Sequence, residues 1–574
     1  MKEDLLKFIR SNELSPFSAS KAQIKRENNS VYKTSDAKKV HRLVIGLLSR
    51  KFNFAQTVNI WDYFNFTSEI QTILGRQEFF KSVPKSSRDY LKKLKTPRKS
   101  WSPDYNIVVV TEDESTFIEL QKLSCPVQLL INEDEVMELE KYDVVQMIDC
   151  ETYGGVISRL PQSLPLHNIE DAYLERYLEM LSAWKENFLN IKDHVSGELK
   201  EVLSELSELF ALIDHEKNKI ITTEEVENIT EDINDKVNSR LRELTLSGDS
   251  LVRMLSEGKI PEEIETIIQK ELEKTGLPGN IFNVKVPVEI DYSELEKYIH
   301  LESATEFTNL SEKIKLSAGK LKQVPRYIRE LESLIVLEDF YSGIANYLSV
   351  QLVYPSLSDN LHFSGAKNLF LSSPQPIDFQ LDNFSRCSIL TGANSGGKTT
   401  LIEHLIQNIS LFQLGLPIAG EIHSPLFTDI YYFAKNKGSA SKGAFETLLT
   451  QMSQIKNGKQ VLILADEIES VTEPGVAGKI ISATAEYFLS QNCFLVIATH
   501  LGHEIKECLP EGARIDGIEA KGLDENFNLI VDHNPVMGRL AHSTPELIVE
   551  KMANSNPEEY FKFLFDRIKK EKKD

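Results

Sequence analysis

The chain has 574 residues, 41% hydrophobic and 26% charged, material for roughly three or four domains of ordinary soluble composition. It contains no long unbroken apolar run, and its opening, MKEDLLKFIRSNEL, is charged throughout, so neither a membrane span nor a secretory leader is expected. A net charge of −21 argues against indiscriminate binding to polyanions.

That charge is uneven. Residues 1–100 hold 21 Lys and Arg against 9 Asp and Glu, a balance of +12 that leaves −33 for the remainder. They are expected to form a basic, mainly helical N-terminal region. Trp61, Tyr63, Phe64 and Phe66 sit close together there. Aromatics beside lysines can stack on bases while the lysines neutralise phosphates. Aromatics this closely spaced more often pack as core. The densest basic run is Lys92-Lys93-Leu94-Lys95-Thr96-Pro97-Arg98-Lys99, which reads as an exposed linker. Residues 101–165 alternate strand (106–110, NIVVV), helix (115–123) and strand (127–131, VQLLI), a small α/β domain.

Residues 166–355 are mostly helix. Val195, Leu199, Val202, Leu206, Leu209 and Ile213 recur at spacings of four and three, a heptad seam. Thr222 with Glu225 makes a capping box for the next helix, whose seam runs Val226, Ile229, Ile233, Val237, Leu241, Leu244. Val284, Val286, Val288 and Ile290 alternate as a strand. Pro325 precedes a long helix. The pattern predicts a helical lever with a protruding coiled-coil arm. The arm is acidic, with 16 Asp and Glu against 9 Lys and Arg over 214–275. The five cysteines, Cys125, Cys150, Cys387, Cys493 and Cys508, show no metal-ligand spacing and suit reduced thiols of a cytoplasmic protein.

From 356 to 574 the pattern is α/β. A strand at 386–390 runs into Gly392-Ala393-Asn394-Ser395-Gly396-Gly397-Lys398-Thr399, which fits G-x-x-x-x-G-K-[ST], and a helix begins at Thr400. Backbone N–H groups of such a loop surround phosphate oxygens, with the helix N-terminus adding a favourable field. Gly392 to Thr400 are therefore the expected nucleotide-binding residues. Lys398 would reach the β- and γ-phosphates, and the Thr399 hydroxyl would ligate magnesium. The strand 461–465 (VLILA) ends in Asp466-Glu467, a Walker B arrangement: Asp466 would hold magnesium and Glu467 would orient the attacking water. The strand 494–498 (FLVIA) ends in Thr499-His500, which places His500 to bond the γ-phosphate or that water. The catalytic set expected is Glu467, His500 and Lys398, the metal set Thr399 and Asp466, and the cofactors ATP and Mg2+.

These motifs resemble the ATPase domain of the MutS family. TGANSGGKTT looks like that family's TGPNMGGKST. Leu414-Gly415-Leu416-Pro417-Ile418-Ala419, followed by Asp429-Ile430, resembles its next stretch. Phe445 in GAFETLLTQMSQI matches the phenylalanine of S-T-F-M-V-E-M. LILADEIESVTEP is similar to L-V-L-D-E-L-G-R-G-T-S, and VIATH to F-A-T-H. There are departures. The family's signature serine falls near Gly443, with only Ser439 and Ser441 close by, so sensing of the partner subunit's ATP is in question. The R-H-P segment appears as Ala366-Lys367-Asn368. Neither a mismatch-reading domain with its Phe-x-Glu wedge nor an Smr-type nuclease tail is recognisable.

The resemblance implies an α/β P-loop NTPase domain of ABC and MutS-like type, joined to a helical lever with a coiled-coil arm and an N-terminal mixed α/β region. It implies a homodimeric, Mg-ATP-dependent ATPase whose arms close round double-stranded or branched DNA, as in DNA repair or recombination. Two alternatives stand beside it: a ribosome-associated ATPase acting on stalled or collided ribosomes through rRNA, and a coiled-coil tether without nucleic acid.

Overall fold

In a computed structural model of the chain, the described residues are 1–18, 31–86, 88–99, 101–103, 105–194, 197–213, 221–243, 248, 252, 256, 260–392, 397–435, 442–456, 458–467, 474–523, 529–541, 549, 551–554 and 558–571. They divide into two compact units, Lys95–Ile328 and Met1–Leu94 with Arg329–Asp574.

The Lys95–Ile328 unit begins with four strands, β1 (Ile107–Thr111), β2 (Val127–Leu129), β3 (Val144–Met147) and β4 (Ser163–Pro165), in a parallel sheet ordered β2-β1-β3-β4. Val108 and Val110 pack on one side with Leu130, Leu139 and Ile157. Ile107 and Val109 pack on the other with Leu120, Ile148 and Tyr173. A parallel strand covered on both faces has no polar side, which is why this stretch is apolar without interruption.

Helices Glu175–Ile191, Glu198–Ile213, Thr223–Glu243, Glu262–Glu273 and Tyr292–Leu321 follow. The capping box forms: Thr222 Oγ1 accepts from Glu225 N at 3.2 Å, and Glu225 Oε2 accepts from Thr222 N at 3.0 Å. Val226, Ile233 and Val237 of the second seam are buried with Ile264, Ile268 and Leu272. Val195 and Leu244, at the seam ends, lie outside the described residues. The expected strand over 284–290 is reduced to its flanks. Only β5 (Phe282–Asn283) and β6 (Glu289–Ile290) pair, antiparallel. Pro287 lies between them and has no N–H to give to a ladder.

The second unit holds two sheets. Its first strands are β7 (Ser356–Leu357), β8 (Leu361–Ala366), β9 (Ile377–Leu381), β10 (Cys387–Gly392) and β11 (Glu421–Ser424). The remainder are β12 (Asp429–Phe433), β13 (Val461–Asp466), β14 (Phe494–Ala498), β15 (Ala513–Leu523) and β16 (Leu529–Val536). The larger sheet runs β12-β13-β14-β10-β15-β16, parallel except for its last pair. The smaller runs β7-β11-β8-β9. Ile389, Ile463, Leu495 and Ile497 form the core of the larger sheet with Ile481 and Phe488. The strand order sets the carboxyl ends of β13, β14 and β10 side by side.

The N-terminal residues belong to this unit. Residues 31–33 extend the sheet beyond β12: Ile430 N donates to Val31 O at 2.8 Å, and Lys33 N to Ile430 O at 3.0 Å. Trp61 and Phe64 are 2% and 1% exposed, and their rings pack on Phe340 at centroid distances of 5.4 and 5.7 Å. These two members of the aromatic run are core, not a stacking surface for bases. No helix among the described residues is long and apolar enough to cross a membrane.

Candidate nucleotide site

β10 ends at Gly392, and the helix Lys398–Leu414 begins after Gly397. Both glycines have positive φ, 137° and 90°, a region that side chains avoid. A Cβ on Gly392 would stand 2.5 Å from Ile518 O, and one on Gly397 would stand 2.9 Å from His533 Nδ1. Glycine is thus required at both by backbone angle and by space. Ala393, Asn394, Ser395 and Gly396 lie outside the described residues. Thr400, also in the expected binding set, is half-buried in the first turn of the helix.

Lys398 is 3% exposed, and its Nζ donates to Gly392 O at 2.7 Å, across the loop. Thr399 Oγ1 donates to Asp466 Oδ2 at 2.5 Å. The other oxygen, Asp466 Oδ1, is buried and has no hydrogen-bond partner among the described residues. Burial raises the Asp466 carboxyl above its usual range, against a lowering by the Thr399 hydroxyl.

Glu467 follows at φ 49°, in the left-handed region, with its N–H donating to Ala498 O at 2.9 Å. That turn takes the carboxylate away from the strand direction and towards the end of β14. There, Glu467 Oε1 lies 2.6 Å from His500 Nε2 and 3.9 Å from Lys398 Nζ. Its other oxygen, Oε2, is in an ion pair with Lys435 Nζ. Burial alone would raise this carboxyl, but Lys435, His500 and Lys398 outweigh it and hold it below the ordinary value.

The structure thus brings Lys398, Thr399, Asp466, Glu467 and His500 together from three neighbouring strand ends. Two more residues join them that the motifs did not single out. Lys435 stands two residues after β12, the strand next to β13, and only that strand order, not a local motif, marks it. His533, on the antiparallel edge strand β16, lies against Gly397, and no local pattern marks it. No group of three or more His, Cys, Asp or Glu among the described residues could hold a metal by itself.

No protein-family model matches the chain. It is 30% identical over 580 residues to the DNA-binding protein MutS2 of Pyrococcus furiosus, covering 93% of this chain and 98% of that one. The chain belongs to the MutS family. Two further MutS2 relatives are named endonucleases. That of Borreliella burgdorferi is 23% identical over 402 residues, 66% of this chain and 48% of its own length. That of Halothermothrix orenii is 22% identical over 350 residues, 53% and 43%. The present MutS chain spans less than half the length of these two proteins, and their nuclease activity belongs to their names.

Proposed function

We propose that this MutS-family chain is a Mg-ATP-dependent ATPase with a P-loop NTPase fold, and that it binds DNA as a homodimer whose arms are gated by the nucleotide cycle. The observation that carries the ATPase reading is the pair of contacts at neighbouring strand ends, Thr399 with Asp466 and Glu467 with His500, beside a buried Lys398.

The residues fit magnesium and ATP. Asp466 Oδ1 is a buried oxygen without a partner among the described residues, and Mg2+ is usually held by one or two carboxylates with substrate phosphates completing its shell. Thr399 and Asp466 would hold the ion, and the Gly392–Thr400 segment with Lys398 would hold the phosphates. The ion, held there, would supply positive charge against the charge that develops on the phosphates. Glu467 accepts a proton from, or orients, the attacking water. His500 holds the Glu467 carboxylate at Oε1, and Lys435 holds it at Oε2. Lys398 adds positive charge beside the same carboxylate.

DNA as the ligand is supported by the name of the Pyrococcus relative, which nearly the whole chain matches. The test pairs hydrolysis with binding. Lys398→Ala should abolish nucleotide binding, and Glu467→Gln should bind ATP, hydrolyse it far more slowly and accumulate as a dimer in light scattering. Labelled duplex DNA should bind the parent chain. Parent-rate hydrolysis by Glu467→Gln would overturn the site assignment, and failure to bind duplex would overturn the DNA assignment.

A further inference from the structure

The densest basic run of the sequence is not a loose linker in its second half. Lys95 N donates to Asn187 Oδ1 at 3.0 Å, and Asn187 Nδ2 donates to Lys95 O at 2.7 Å. Asn187 is 2% exposed and belongs to the helix Glu175–Ile191. Its amide satisfies both backbone groups of Lys95, so the strap is fixed to the helix where it begins. Pro97 then restricts the backbone further and removes one donor.

Between strap and helix lies a cavity of about 770 Å³. Lys95, Arg98, Lys99 and Lys185 line it, against Glu186 as the one acidic side chain of the lining. Lys95 pairs with Glu186 at 2.6 Å, with both side chains well exposed. Such a pair contributes little and is readily exchanged for a better anion. Lys99 lies 2.8 Å from Glu179, a carboxylate that also accepts from the Tyr173 hydroxyl. The guanidinium of Arg98 enters no ion pair among the described residues. A guanidinium presents a planar fork of donors that matches two phosphate oxygens, and lysines add point charge around it.

We propose that this groove is a contact for the phosphodiester backbone of a polynucleotide. It rests on the nucleic-acid reading above and gives it a place in the chain. The chain as a whole carries −21 and repels polyanions at long range, so binding requires a local concentration of cations. Arg98 and Lys185, beside the exposed and exchangeable Lys95–Glu186 pair and on a backbone held by a buried amide, provide it. Neutralised phosphates release counterions, so binding through this groove must weaken as salt rises.

The test uses the full chain and fluorescence anisotropy of a labelled DNA duplex and a labelled RNA hairpin, each titrated from about 50 to 200 mM salt. The variant is Lys95→Ala/Arg98→Ala/Lys185→Ala, which leaves Lys99 on Glu179. If all three side chains meet phosphates, the log–log salt slope on duplex should become shallower by about 2–3, at about 0.9 per contact. Lys95→Arg/Lys185→Arg should keep the parent slope. DNA-independent ATP hydrolysis and the thermal midpoint should stay at the parent's values in both variants, since none of these residues lines the nucleotide site. A slope lost on one ligand only supports the groove and names that polynucleotide as its source. If the parent binds and the triple variant keeps its slope on both ligands, the groove assignment is wrong. If the parent binds neither, the nucleic-acid reading fails and takes this one with it.

Discussion

His500 Nε2 and Glu467 Oε1 stand 2.6 Å apart, and that contact ties the end of β14 to the end of β13. Glu467 holds a left-handed backbone, φ 49°, which costs a non-glycine residue about 1–3 kcal/mol. The neighbours that stabilise it there are those that aim its carboxylate: His500 and Lys435 on its two oxygens, and the Ala498 carbonyl on its N–H.

The first prediction concerns that pair. Glu467→Gln should retain ATP affinity and lose turnover by about a hundredfold or more, the usual scale for general-base catalysis. His500→Ala should lose less, about tenfold, because it removes only one of the groups that orient the carboxylate. In the proposed site His500 acts through Glu467, so the double variant should be no slower than Glu467→Gln alone. Single-turnover hydrolysis measures all three. Losses that multiply in the double variant would show that His500 acts independently.

The second concerns Gly397. An alanine there meets both the 90° φ and His533 Nδ1 at 2.9 Å. Left-handed backbone costs an ordinary residue about 1–2 kcal/mol, so Gly397→Ala should lower stability by about that amount and weaken binding of a fluorescent ATP analogue at least tenfold. Adding His533→Ala relieves the contact but not the angle. It should therefore recover only part of the lost stability in urea melts, and full recovery would assign the whole effect to crowding.

The third concerns acid. His41 and His404 are 5% and 1% exposed, and burial lowers each to about 4 from 6.5, with Arg42 adding to the effect at His41. Both are neutral in the folded chain at pH 7. Between pH 6.5 and 4 the unfolded chain binds more protons than the folded one, so stability falls as pH falls through this window. Each histidine should account for about 3 kcal/mol by the bottom of it. Urea midpoints at several pH values should decline across the window, and His404→Gln should decline less steeply. An unchanged slope in that variant would remove His404 from the account.

Much of the site was legible in the sequence because parallel strands buried on both faces appear as unbroken apolar runs, and their polar ends stand out. SILTG, LILAD and FLVIATH each mark a strand end that the sheet sets beside the others. Lys435 was less legible. Its meaning comes from β12 being the neighbour of β13, which is a matter of strand order and not of local pattern. The place of the N-terminal residues was least legible. Tyr32 bonds Ser410 at 2.5 Å, and Thr34 caps its helix while donating to Tyr432 O at 2.7 Å. These partners lie nearly four hundred residues away, and periodicity carries no information at that range. The loss of strand at 284–288 has a local cause, Pro287, which outweighs the alternation around it.

The last prediction tests that long-range docking. Asp339 is fully buried on the helix Val324–Tyr347, without a cation beside it among the described residues. Its carboxylate accepts from Asn53 N at 2.9 Å, Asn53 Nδ2 at 2.7 Å, Phe54 N at 3.1 Å and Thr57 Oγ1 at 2.7 Å. Four donors around one buried anion make a strong clamp only while every bond is kept. Asp339→Ala leaves all four without a partner and should cost about 3–5 kcal/mol. Asp339→Asn keeps one acceptor oxygen but turns an NH2 towards donors, and should cost about 2 kcal/mol. Asn53→Ala removes one side-chain donor and leaves the anion three partners, so its loss should be smallest, about 1 kcal/mol. Urea denaturation gives the three values. Their order is the critical result: Asn53→Ala costing as much as Asp339→Ala would mean that Asn53 packing, and not the buried carboxylate, holds the N-terminal residues in this unit.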